Sequence, residues 1–159
     1  RIECRRQRQM CIRDSQEAVS LNANSAIAHF ELGIALHNAG RYEEALSHYE
    51  TAHRLSPRDL HAAALSTGPS FTLFQLGRFE EAAASAARAT RSPNPRYWAD
   101  ALLVAALIKL GRKAEADEAR SVLLNRKPDF SLRQFSSSSP AGMRSSELVA
   151  ALREAGLPE

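Results

Sequence analysis

Large aromatic side chains are scarce in this chain, at 6% of 159 residues with a single tryptophan, and runs of β-branched residues are few. Sheets are built from those residue types, so their shortage argues against a β architecture, while abundant alanine favours close-packed helices. Long apolar runs are missing as well. The longest, Ala101 to Ile108, falls far short of the roughly 20 residues that cross a bilayer, so no membrane partner is expected and the expected location is cytoplasmic. Cysteine is limited to Cys4 and Cys11, both in the first fifteen residues, where five arginines set against Glu3 and Asp14 carry the whole net charge of +3. A basic, cysteine-bearing start could be read as a nucleic-acid arm, a membrane-surface segment or half a metal site. The remaining composition, 44% hydrophobic and 25% charged, suits one soluble domain with a sizeable core.

Chemical motifs are sparse too. Gly68-Pro69-Ser70 has no preceding strand and no Lys-Ser or Lys-Thr after it, so it is no phosphate loop. The histidines, at 29, 37, 48, 53 and 61, show no i, i+4 pair on one face. Neither a catalytic residue nor a metal site is therefore expected, and no cofactor. Ser136 to Ser139 reads as a polar link.

What is present is a repeated unit. From Asn24 to Pro57 two amphipathic helices are written, with Ile27, Leu32, Gly33, Leu36 and Ala39 inward on the first and Ala45, Tyr49 and Ala52 on the second. Gly40 ends the first, Tyr42-Glu43-Glu44 starts the second, and Ser25 is placed to cap the first. Leu32-Gly33-x-x-Leu36, Ala45-x-x-x-Tyr49 and Pro57 agree in type and spacing with the 34-residue tetratricopeptide pattern, which this stretch resembles; His29 stands where a large apolar residue is usual.

The anchor Gly40-Arg41-Tyr42-Glu43-Glu44-Ala45 returns as Gly77-Arg78-Phe79-Glu80-Glu81-Ala82 after 37 positions, and Leu110-Gly111-Arg112 with Ala116 follows 34 later. The three extra residues are expected to lengthen the second unit's first helix around Asp59 to Ala64, and Pro69 to kink or break it near Ser66 to Gly68. Pro95 suits the first turn of the next helix, and Arg120 replaces the aromatic of the third unit's second helix. The units are thus 25–57, 58–93 and 94–128, preceded by the tail of another at 16–24. The stretch 129–159 follows as a linker and a capping helix, started by Ser145 or Ser146, whose Leu148, Val149 and Leu152 cover the last apolar face. The fold class is all-α: a right-handed superhelical stack of helix-turn-helix hairpins with a C-terminal cap.

Arg5 to Ser15, RRQRQMCIRDS, resembles a translated sequencing-library adapter. On that resemblance residues 1–15 are a non-native segment that contributes nothing to folding, and the native chain begins near Gln16. Pro57 to Glu159, with Asn94-Pro95, Lys127-Pro128-Asp129-Phe130-Ser131 and Leu152 to Pro158, is similar to the C-terminal repeat region of bacterial class III adenylate or guanylate cyclase-like proteins. Related regions accompany winged-helix activators. The resemblance implies a regulatory module whose intact parent is a nucleotide cyclase, or a transcriptional regulator, while this part is not itself an enzyme.

In tetratricopeptide stacks the first helices line the concave surface. Carried over, that surface consists of Ile27, Phe30, Ile34, His37 and Asn38 in the first unit, and Thr67, Phe71, Phe74 and Gln75 in the second. The third unit adds Trp98, Ala101, Ala105 and Lys109. Phe30, Ile34 and Ala101 stand where carboxylate-clamping repeats use Lys, Arg or Asn. The expected partner is therefore a protein or peptide presenting an apolar helix or segment, the parent's own upstream domain or a second subunit included, and not nucleic acid.

Overall fold

The computed structural model describes residues 2–57, 62–92, 95–138 and 145–159. Among these the chain forms nine helices and no strand: α1 (Ile2–Leu21), α2 (Ala26–Asn38), α3 (Tyr42–Leu55), α4 (Ala62–Gln75), α5 (Phe79–Thr90), α6 (Tyr97–Lys109), α7 (Lys113–Arg126), α8 (Leu132–Ser138) and α9 (Ser146–Glu154). The expected caps are present. Ser25 Oγ accepts from the Ala28 amide and Ser145 Oγ from the Leu148 amide, each satisfying one free donor of a helix start.

The hairpin turns share one construction. Gly40, Gly77 and Gly111 take φ of 82°, 73° and 71°, a conformation in which a side chain is strained, and the following arginine amides reach back to the Leu36, Leu73 and Leu107 carbonyls. Each arginine then opens the second helix without a side-chain cap, and its guanidinium grips the glutamate three residues on: Arg41 to Glu44, Arg78 to Glu81, Arg112 to Glu115. The anchor motif is thus a turn and an ion pair at once.

Hairpins α2/α3, α4/α5 and α6/α7 pack in series, each second helix also meeting the first helix of the next hairpin. The first helices α2, α4 and α6 touch one another, and α9 continues that inner layer beyond α6. Leu148, Ala151 and Leu152 of α9 are buried and Val149 is half-buried, so the terminal helix closes the apolar end as expected. The chain end is clipped by the Leu132 amide donating to the Pro158 carbonyl.

Several details depart from the sequence reading. α4 runs unbroken through Pro69, which excludes the broken helix; of the extension expected around Asp59 to Ala64, residues 62–64 belong to α4 and 59–61 lie outside the described residues. Pro95 precedes the N-cap Arg96 instead of entering the first turn of α6. α8 spans Leu132–Ser138, so Ser136 to Ser138, read as part of a polar link, are helical. Residues 2–15 belong to α1 without interruption, and Ile12, at 8% exposed, packs in the cluster of Leu32, Ala35, Leu36, Ala45 and Tyr49. The expectation that this segment takes no part in the fold is overturned at Ile12.

Candidate functional site

The inner face is the place where the stack could receive a partner, and burial divides its thirteen expected residues sharply. Thr67, Phe71, Phe74, Ala101 and Ala105 are all at most 3% exposed, and His37 is buried as well. These six are core. Phe74 packs edge-on against Phe79 with ring centroids 5.1 Å apart, and Ala101 and Ala105 share the main apolar cluster with Leu148 and Leu152 of α9. His37 Nδ1 lies 2.8 Å from Thr72 Oγ1. The carried-over groove fails here because α9 docks on α6 and the first helices approach closely enough to seal their mutual faces.

What remains accessible is a stripe on α2. Ile27 is 59% exposed, Phe30 and Ile34 are half-buried and Asn38 is exposed, with spacings of three, four and four that keep them on one face. Phe30 leans on Tyr49 at 5.6 Å between ring centroids. Farther along, Gln75 is half-buried, and Lys109 is tied to Glu147 of α9 at 2.8 Å.

Two clefts were not foreseen. The first, about 300 Å³, opens between α3 and α5 over Leu46, Tyr49, Pro69 and Leu73. Its cause lies in register: Pro69 occupies the position of Leu32 and Leu103, so a full-length apolar side chain is missing there. The second, about 380 Å³, lies at the hairpin edge between Pro95–Trp98 and Arg126–Asp129. Trp98 lines it under the Arg96 guanidinium, Lys127 sits over Tyr97 and bonds Asp129, and Arg126 reaches the buried Asp100. Burial pushes the Asp100 carboxyl up despite Arg126.

A further pairing escaped the sequence reading because it crosses the hairpin: His29 Nδ1 and His48 Nδ1 are 3.0 Å apart. Burial, then the neighbouring His29, holds the His48 imidazolium down. Among the described residues no group of three or more His, Cys, Asp or Glu side chains converges as a metal-binding set, and no helix is long and apolar enough to cross a membrane.

A serial stack of antiparallel helix pairs, closed by one extra helix and built on a repeated Gly-Arg turn, defines a helical-repeat protein. The family model of the tetratricopeptide repeat matches residues 26–59, a stretch that contains α2 and α3. The architecture is similar to that of YrrB, described as a TPR protein with an unusual peptide-binding site, at a TM-score of 0.66 and 16% identity over 94% of this chain and 77% of that one. It is also similar to the MamA RS-1 ArsTM double mutant, at a TM-score of 0.68 and 17% identity over 96% and 92% of the two chains. No curated protein matches the sequence. The fold is an all-α tetratricopeptide superhelical stack.

Proposed function

We propose that this chain is a non-enzymatic protein-interaction scaffold that receives an apolar helix or extended peptide on the inner side of its first hairpin. One observation carries the reading: Ile27, Phe30 and Ile34 form a partly exposed apolar stripe on α2, in the layer where the corresponding faces of α4 and α6 are sealed. The peptide-binding site named for YrrB supports the reading by fold analogy.

The setting we propose is the regulatory C-terminal region of a cyclase-like signalling protein, on the strength of the resemblance over Pro57 to Glu159. The gene that encodes the chain tests that setting: a cyclase domain in the same reading frame supports it, and a winged helix transfers the module to a transcriptional regulator.

Binding is tested by selecting peptides on the intact chain and measuring Kd for the selected ligands. Ile27→Asp and Phe30→Ala are each expected to weaken binding at least about tenfold, as truncation of a central anchor does, with helicity unchanged. Full-strength binding by both variants would remove the α2 stripe as the site.

A further inference from the structure

A buried histidine is tolerated when both ring nitrogens find partners. His29 is 8% exposed, and both of its nitrogens are engaged: Nε2 is 3.1 Å from the Ala23 carbonyl oxygen, and Nδ1 is 3.0 Å from Nδ1 of the half-buried His48. A carbonyl oxygen only accepts, so Nε2 of His29 carries the proton and its Nδ1 presents a lone pair. In the neutral pair, His48 Nδ1–H is then the donor. The rings are stacked, 5.2 Å between centroids and inclined by 29°, with the two Nδ1 atoms 3.0 Å apart.

That arrangement has the two parts of a histidine metal site. A metal-ligating imidazole characteristically donates its outer N–H to a carbonyl or carboxylate, which fixes the tautomer and aims the free nitrogen, and Ala23 performs that service for His29. The second part is spacing. With zinc–nitrogen bonds of about 2.0–2.1 Å at a tetrahedral ion, two ligating nitrogens stand about 3.3 Å apart, so the observed pair needs to open by only a few tenths of an ångström.

We propose that His29 and His48 form a two-imidazole site for a borderline divalent transition cation of the zinc, nickel or copper class, with solvent completing the coordination. Imidazole nitrogens select this class over magnesium and calcium, which take oxygen ligands. On binding, the proton of His48 moves from Nδ1 to Nε2, leaving both rings neutral and both Nδ1 lone pairs on the ion. Glu44, one turn before His48, supplies negative charge on that side while remaining paired with Arg41. The site joins α2, α3 and the turn that leads from α1, so an occupying ion would pin the first hairpin together.

The experiment is a zinc titration of the full chain carrying Cys4→Ser and Cys11→Ser, which removes competing thiols, followed by long-range proton–nitrogen NMR of the imidazoles. The His29 and His48 Nδ1 resonances are expected to move together and the thermal midpoint to rise, while magnesium does neither. His48→Gln, checked for helicity, is expected to weaken zinc binding by at least about tenfold, and His53→Gln, on an exposed histidine of the same helix, to leave it unchanged. Unmoved Nδ1 resonances at millimolar zinc, or undiminished binding by His48→Gln, would overturn the proposal.

Discussion

Tyr49 sits where the backbones of two helices come closest. A methyl group on Gly33 of α2 would lie 2.6 Å from its ring, and one on Gly68 of α4 would lie 2.9 Å from it, so the ring is held from both sides. Its hydroxyl bonds Thr72, whose Oγ1 donates to the Gly68 carbonyl and pairs with His37, and burial pushes the phenol's pKa up. The later hairpins solve the same position differently. Ser70 meets Ser85 beside Ala86 at 2.9 Å between hydroxyl oxygens, and in the third hairpin Val104 is fully buried while Arg120 reaches the Gly156 carbonyl. At an exposed helix position Gly→Ala gains about 1 kcal/mol. Gly33→Ala should instead cost about 1–3 kcal/mol, because its methyl would overlap the Tyr49 ring, which Gly68 also approaches closely. Tyr49→Ala should cost about 3–5 kcal/mol on its own. Denaturant unfolding of both single variants and the double variant checks the coupling: the double should lose clearly less than the sum, and additivity within about 0.5 kcal/mol would mean the ring does not occupy the glycine faces.

Between elements, the turn arginines form a ladder along one edge of the stack. Arg78 holds Glu81 of its own helix and lies 3.6 Å from Glu43 of the preceding hairpin; Arg112 holds Glu115 and reaches Glu80 at 2.9 Å. The arginine hydrogen bonds set Glu44, Glu81 and Glu115 below their ordinary value of 4.5. For acids depressed in the folded state, the contribution to stability is present above the unfolded value and disappears as pH falls through the folded one. Asp100 has the opposite sign: its raised pKa makes the folded chain hold a proton more tightly, so acidification through that range favours folding. Acid titration of stability should therefore decline below about pH 4.5, and Arg78→Gln should flatten that decline in low salt but not in about 1 M salt, where exposed charges are screened. An unchanged profile in Arg78→Gln would detach the ladder from stability. The ladder's turns were legible in the sequence because glycine, arginine and glutamate act within a few residues of one another. Pro69 was legible as a perturbation, but its outcome was not, since packing on both sides of α4 keeps the helix continuous and converts the missing leucine into a cleft.

At the scale of the whole molecule, exposure depends on what each helix meets, and that is why the inner face was only partly foreseen. Position within the repeat placed Phe71, Phe74, Ala101 and Ala105 toward the inside of the curve, yet neighbouring first helices and α9 bury them, so only the α2 end keeps an open apolar stripe. The His29–His48 contact was hidden for a related reason: residues 19 apart meet only after the hairpin folds. The N-terminal segment held the other surprise, since the resemblance to a translated adapter set residues 1–15 outside the fold while one of their apolar residues, Ile12, is docked on the first hairpin. In a repeat stack each unit leans on its neighbours, so removing that contact should loosen the near end and spare the far one. Ile12→Ala is expected to cost about 2 kcal/mol, as a buried large-to-small change, with faster amide exchange confined to α1 and α2 and α6 unaffected. Met10→Ala, at a side chain 51% exposed, should stay within about 0.5 kcal/mol. Equal and negligible effects of the two substitutions would show that α1 is not docked through Ile12; an Ile12 effect that spread evenly through α6 would show instead that the stack unfolds as one unit and not from its end.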